Sequence, residues 1–239
     1  MKLSIVIPVY NEEYRIKNTL YDILDYLKIN NLENESEIVL VNDGSKDNSV
    51  TLINKIKQDI PQIRLIDNEV NQGKGAVVRQ GVLESLGDWI LFMDADNSTN
   101  IKELDKFITY QDKYDVIIGS RDLPESKVIV SQNILKRILG DLGNLWIQLL
   151  LIGGIKDTQC GFKFFKREVA IKVFKILSMK KWSFDIEILT LTKYYGYKIK
   201  EVAVIWKNDE RSNVKWNDYI QVLLDTLIIK IRLIQGFYK

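Results

Sequence analysis

The chain has 239 residues, 46% of them hydrophobic and 28% charged, which suits a single well-buried globular core and excludes a disordered polymer. Its 34 Lys and Arg stand against 32 Asp and Glu, and a net charge of +2 gives no reason to expect a nucleic-acid partner. Histidine is absent and cysteine occurs once, at Cys160, which excludes Ser-His-Asp and Cys-His catalysis, histidine-ligated zinc and an internal disulfide.

A buried strand is predicted over Leu3 to Val9, ending in a polar cluster, and an amphipathic helix over about Glu13 to Ile29. A strand at Glu37–Val41 stops at Asn42-Asp43-Gly44-Ser45, and Ser45 or Asp47 is placed to cap a helix running to about Ile60. Arg64–Asn68 reads as a third strand, and Asn71-Gln72-Gly73-Lys74-Gly75 opens a helix ending near Gly87. Asp88–Met93 is a fourth strand closed by Asp94-Ala95-Asp96; a helix over about Ile101–Gln111 leads to a fifth strand, Asp115–Gly119. Beyond Arg121, residues 133–152 carry an apolar stripe through Leu135, Ile138, Leu139, Leu142, Leu145, Trp146, Leu149 and Leu150, and Tyr219–Ile234 form a second such helix.

Alternating strands and helices predict an α/β fold whose mostly parallel central sheet is covered by helices on both faces. Ligands of such sheets bind beyond the carboxyl ends of the strands, so the polar clusters at 10–13, 42–47 and 94–98 should meet in one crevice. In that setting Asp94 and Asp96, two residues apart, can share a divalent cation; oxygen ligands favour Mg²⁺ or Mn²⁺ over softer metals. Asp43 suits a nucleotide base or ribose, or an Asx-type turn with Gly44. Lys74, between two glycines at a helix start, suits phosphate. Cys160 reads as a packing residue, because nothing near it in sequence marks an activated thiol. Asp157 and the pair Asp185 and Glu187 are as well explained by helix capping or surface charge as by function.

Together, Pro8-Val9-Tyr10-Asn11-Glu12, Asn42-Asp43-Gly44-Ser45, Asp94-Ala95-Asp96 and Gly119-Ser120-Arg121 resemble glycosyltransferase family 2. Asn71-Gln72-Gly73-Lys74-Gly75, Asp157-Thr158-Gln159-Cys160-Gly161-Phe162-Lys163 and Trp182-Ser183-Phe184-Asp185-Ile186-Glu187 are most similar to its dolichyl-phosphate β-glucosyltransferase branch, over about residues 3–236. The resemblance implies a GT-A fold and inverting transfer of a hexose from a UDP- or GDP-sugar, UDP-glucose favoured over GDP-mannose, to a polyprenyl (dolichyl-type) phosphate. It further implies that Pro8, Tyr10, Glu12, Asp43 and Lys74 hold the nucleotide-sugar, that Asp94 and Asp96 hold metal and diphosphate, and that Arg121 faces the acceptor phosphate. Asp157 is the residue that family analogy offers as base. The chain departs from the branch at Arg211-Ser212-Asn213, where Gly-Ser-Lys usually follows the Val-x-Trp strand.

A phosphate monoester has a second pKa near 6 and needs little deprotonation at neutral pH, so Asp157 is better suited to orienting a cation or the sugar than to removing a proton. Arg121, Lys163 and one or both of Lys136 and Arg137 are then expected to neutralise the acceptor. Two other readings compete: a family 2 enzyme acting on a sugar hydroxyl in surface polysaccharide, with Asp157, Asp185 or Glu187 as base, and a nucleotide-sugar binder without turnover. The expected organisation is a single domain over 1–239, with a nucleotide-sugar half (1–120), an acceptor half (121–215) and a C-terminal amphipathic helix (216–239). The lone cysteine, a first strand within three residues of the start and the lack of a run of about 18 apolar residues predict a cytoplasmic protein lying on a membrane surface without crossing it.

Overall fold

The computed structural model describes residues 2–129, 134–207 and 216–239, with the side chains of 134–139, 141, 216 and 217 outside that description. The first half alternates as β1 (Leu3–Val9), α1 (Ile16–Ile29), β2 (Ser36–Asp43), α2 (Ser49–Lys57), β3 (Ile63–Asn68), α3 (Lys74–Glu84), β4 (Trp89–Met93), α4 (Leu104–Ile108) and β5 (Val116–Ser120). It continues through β6 (Lys127–Val128), α5 (Ile134–Leu150), β7 (Phe162–Lys166), α6 (Arg167–Ile176), α7 (Phe184–Tyr194), β8 (Ile199–Ala203), β9 (Ile205–Trp206) and α8 (Trp216–Ile234).

Seven strands form one sheet in the order β3-β2-β1-β4-β7-β5-β8, and β6 pairs with β9 alongside. Strands such as Ile5-Val6-Ile7 and Val39-Leu40-Val41 are apolar at every position because both sheet faces are covered. Successive side chains alternate between faces. Ile5, Ile7, Leu40 and Leu91 meet Ile16, Leu20 and Ile23 of α1 and Phe107 of α4. Val6, Val39, Ile90 and Phe92 meet Val77 and Val82 of α3, Phe174 of α6 and Ile188 of α7. The predicted α/β class with a mostly parallel sheet and helices on both faces is what the chain adopts.

The exception to the parallel pattern matters most for function. β7 runs antiparallel between β4 and β5, pairing Phe92 with Lys163 and Ile118 with Lys163. The entrance of β7 therefore lies at the exits of β4 and β5, and the backbone of Asp94 donates to the Gly161 carbonyl at 3.0 Å. This inserted strand carries the Asp157–Lys163 motif to the edge where Asp94 and Arg121 emerge.

Candidate functional site

The loops after β1 and β2 are sewn together. Asn11, at φ 56°, accepts from the Lys46 amide at 2.8 Å, and its own amide donates to Ser45 Oγ at 3.0 Å. Asp47 accepts from the amides of Glu13 and Ser49, each at 3.0 Å, so it joins two loops rather than acting as a simple helix cap. The loop after β4 joins through Thr19, whose hydroxyl donates to the Ala95 carbonyl at 2.7 Å. The three polar clusters thus share one edge of the sheet. Pro8 and Glu12 are partly buried there and the Tyr10 ring is exposed.

Asp43 is nearly buried and folds the neighbouring loop: Oδ1 accepts from the Gln72 amide at 2.6 Å and Oδ2 from the Gly73 amide at 3.1 Å. Burial pushes its carboxyl above the usual range, partly offset by those amides. Gly73, at φ 98°, starts α3, and a Cβ on Gly75 would lie 2.6 Å from the Met179 carbonyl oxygen. Only glycine permits that approach.

Three carboxylates crowd the mouth. Burial, together with the nearby Asp96 and Asp94, raises Glu12 to about 7, although Arg15 forms a bidentate pair with it at 2.5 and 2.8 Å. Burial and Asp94 likewise raise Asp96, whose Oδ1 accepts from the Ser98 amide at 2.9 Å. Asp94 Oδ1 is buried, accepts no hydrogen bond of good geometry, and faces the Lys74 ammonium at 2.6 Å. Lys74 also lies 5.3 Å from the Trp182 ring centre. The Asp94 carboxylate rests on Gly161, where a Cβ would fall 1.9 Å from Oδ2.

Arg121 and Asp157 form the second half of the site. The Arg121 side chain donates to Asp157 through Nε at 2.7 Å and NH2 at 2.9 Å, and its backbone amide adds a third bond at 2.9 Å. Asp157 also accepts from the amides of Gln159 and Cys160, each at 3.1 Å. Burial alone would raise the Asp157 carboxyl, but the charge and hydrogen bonds of Arg121 outweigh it and hold it below the usual carboxylate range. Such a carboxylate is a poor base. Arg121 keeps one edge open, with its side chain 26% exposed and 5.4 Å from the Trp206 ring centre. Burial drives the Cys160 thiol up to about 12, consistent with a packing role.

The expectation that Lys163 meets the acceptor needs correcting. Its side chain is fully buried in β7, donating to Asp185 at 2.6 Å and to the Cys160 carbonyl. Asp185 is also close enough to Lys74 to interact with it electrostatically, so opposite charges alternate inward from Asp94 through Lys74 and Asp185 to Lys163. Capping or surface charge does not describe Asp185 or Glu187, since both are buried in the first turn of α7. As bases for a hydroxyl acceptor, Asp157, Asp185 and Glu187 are all spent on internal partners. The side chains of Lys136 and Arg137, and the whole of Arg211-Ser212-Asn213, lie outside the described residues.

Among solved structures the chain is similar to glucosyl-3-phosphoglycerate synthase of M. tuberculosis (TM-score 0.67, 16% identity, 96% of this chain and 80% of the other). It is also similar to the S. aureus protein TarS in complex with UDP-GlcNAc (TM-score 0.62, 19% identity, 96% and 66%). A third likeness is to the mannosyltransferase PcManGT from Pyrobaculum calidifontis in complex with GDP-Man and Mn²⁺ (TM-score 0.63, 16%, 97% and 64%). At these identities the likeness concerns the fold, which is of the GT-A kind. Among curated sequences the chain is 35% identical to the dolichyl-phosphate beta-glucosyltransferase of Dictyostelium discoideum, over 99% of this chain and 76% of that protein. The enzymes of that name from Homo sapiens (32%, 100% and 78%) and Saccharomyces cerevisiae (34%, 99% and 76%) align as extensively. The family model described as Glycosyl transferase family 2 matches residues 4–174, and the chain is a glycosyltransferase belonging to that family.

Proposed function

We propose that the chain transfers glucose from UDP-glucose to a dolichyl-type polyprenyl phosphate, with inversion at the anomeric carbon. The observation that carries the phosphate acceptor is the Arg121–Asp157 pair, a half-open guanidinium fixed in place by a buried carboxylate that is itself held ionised. The open edge of the guanidinium can donate to a phosphate and the pair offers no base, which suits an acceptor already ionised at neutral pH. One phosphate oxygen attacks the anomeric carbon, the bond from that carbon to the diphosphate breaks, and the nucleoside diphosphate leaves with the electron pair. The extensive likeness to dolichyl-phosphate beta-glucosyltransferases supports the sugar and the lipid. The GDP-mannose reading gains nothing from them.

Mg²⁺ or Mn²⁺ suits the mouth chemically. The donors are oxygens, Asp94 Oδ1 faces the Lys74 ammonium and no other donor among the described residues, and burial together with the charge of Asp94 raises Asp96, which a bound cation would relieve. Among the described residues no group of three or more acidic, histidine or cysteine ligands gathers, so water and diphosphate would complete the coordination of a cation held by Asp94 and Asp96. When bound, the cation neutralises the charge of the departing diphosphate. Pro8, Tyr10 and Glu12 line the nucleotide side in this reading, Asp43 shapes it by holding the Gln72 and Gly73 amides, and Lys74 turns to the diphosphate.

The acceptor's phosphate lies in a membrane interface, and we place the protein on the cytoplasmic face of that membrane. Among the described residues no helix is long and apolar enough to cross it. Support for surface docking comes from α5 and α8, packed together through Trp146 Nε1 donating to Thr226 Oγ1 at 2.9 Å. They leave Leu142, Leu149, Ile220, Leu224, Ile231 and Ile234 exposed.

The test is a panel of UDP- and GDP-sugars assayed with a polyprenyl phosphate and Mg²⁺ or Mn²⁺. The expected result is a glucosylated lipid formed from UDP-glucose, lost with EDTA and with Asp96→Asn. Transfer to a soluble sugar hydroxyl but not to the lipid phosphate would overturn the acceptor assignment. Full activity in EDTA would remove the metal.

A further inference from the structure

Outside the mouth, a second buried polar centre is built on Glu187. Its carboxylate accepts from the Ser178 amide at 3.0 Å, the Met179 amide at 2.7 Å, the Ser178 hydroxyl at 2.5 Å and the Tyr238 hydroxyl at 2.5 Å. Ser178 and Met179 lie between α6 and α7, whereas Tyr238 follows α8 and is 2% exposed. Two more ties join the same places. Ser183 donates to Asp225 of α8 at 2.5 Å, and Arg232 of α8 donates to the Ser178 hydroxyl.

The segment so anchored roofs the start of α3. The Lys180 carbonyl accepts from the Ala76 amide at 3.1 Å, and a Cβ on Gly73 would lie 2.6 Å from that same oxygen. Trp182, from the same segment, stands beside the Lys74 ammonium that faces Asp94. Residues 178–183 thus pack against the start of α3 and flank the Lys74 side chain. A displacement of about 1 Å at such a site is enough to alter binding or catalysis strongly.

We propose that Glu187 and Tyr238 are positioning residues for the donor half of the site: through residues 178–183 they hold Gly73-Lys74-Gly75 and the Lys74 ammonium in register with Asp94. The role given to Lys74 rests on the proposed transfer from a nucleoside diphosphate. Ordinary core bonding would give a different signature, a loss of stability that treats donor and acceptor alike.

Tyr238→Phe keeps the ring and removes the hydroxyl; Glu187→Gln weakens the same centre from the other side. UDP affinity is measured by calorimetry with Mn²⁺ present, alongside KM for UDP-glucose and for polyprenyl phosphate. Both variants are expected to weaken UDP binding and raise donor KM about five- to tenfold, on the order of 1–1.4 kcal/mol by the affinity relation, with acceptor KM shifted less than twofold. Tyr26→Phe serves as the control, removing a hydroxyl that donates to Asp105 at 2.6 Å on the opposite face of the sheet. It should lower Tm comparably and leave UDP binding unchanged. Trp182 emission, taken as the difference from a Trp182→Phe background, reads the segment without any ligand and should change in Tyr238→Phe. Unchanged emission together with unchanged UDP affinity overturns the proposal, as do donor and acceptor KM rising in parallel. A parent chain that binds no UDP while its Trp182 emission responds to Tyr238→Phe would count against the transferase reading and leave the brace standing.

Discussion

At Asp157 two roles compete, base and anchor, and the balance of terms around one carboxyl separates them. Burial opposes its ionisation, yet two side-chain bonds and one backbone bond from Arg121 keep it ionised, with a folded pKa below its unfolded value of about 3.9. A carboxyl depressed in this way contributes stability that is fully present above about pH 4 and lost as pH falls through the folded value. Asp157→Asn should therefore cost stability at neutral pH, toward the low end of the roughly 3–5 kcal/mol seen when one partner of a buried pair is removed, because Arg121 keeps a wet edge. The cost should shrink below about pH 4. Acceptor KM should rise while the pH–rate profile between 6 and 9 keeps its shape. A variant that loses an ionisation from that profile would make Asp157 the base after all. Lys163 teaches the complementary lesson: a lysine in a strand reads as a surface cation, and nothing local in the sequence reveals that Asp185, 22 residues later, buries it.

At the scale of elements, the motif after α5 acts through the strand that follows it. β7 lies between β4 and β5, so Gly161 becomes the floor on which Asp94 rests. Gly161→Ala should displace that carboxylate and lower turnover at least a hundredfold, with Tm changed by only a few degrees. Gly140→Ala, in α5 with open space around its Cβ position, should instead add about 0.5–1 kcal/mol. Measuring turnover and Tm on both variants checks the contrast, and an active Gly161→Ala would detach this glycine from the site. The parallel half was legible because continuous apolar runs and strand-terminal polar clusters are local signals, and β1 to β5 fall within a residue or two of their predicted spans. The insertion of β7 was not legible. Phe162-Lys163-Phe164-Phe165-Lys166 does not look like an interior strand, and antiparallel placement between two parallel neighbours is decided by tertiary pairing. Glu187 was hidden for the same reason, since its partners include Tyr238, 51 residues away.

At the scale of the molecule, one edge of the sheet collects the chemistry while α5 and α8 present their outer faces to whatever surrounds the protein. An amphipathic helix usually buries its stripe in the core, and part of each stripe is so used: Ile147 and Ile229 are buried. The remainder is exposed, with Leu149 at 79% and Ile234 at 76%, and so many exposed large apolar side chains on two packed helices suit an apolar surrounding. Arg232 does not serve as a headgroup cation, because it turns inward to Ser178 and stacks 5.1 Å from the Phe237 ring centre. Lys230 and Lys239 remain at that end of the chain, so attachment should combine apolar burial with attraction to anionic lipid. Full burial of a leucine contributes about 1.5–3 kcal/mol, so Leu142→Glu with Leu149→Glu should reduce partition onto vesicles by at least about a hundredfold. Co-sedimentation of the parent and the double variant, with neutral and with anionic vesicles at low and high salt, measures this. The parent should pellet with both kinds of vesicle and lose only part of its binding in high salt. A parent chain that stays in the supernatant with anionic vesicles at low salt would overturn membrane docking and move the sugar-hydroxyl acceptor ahead of the lipid phosphate.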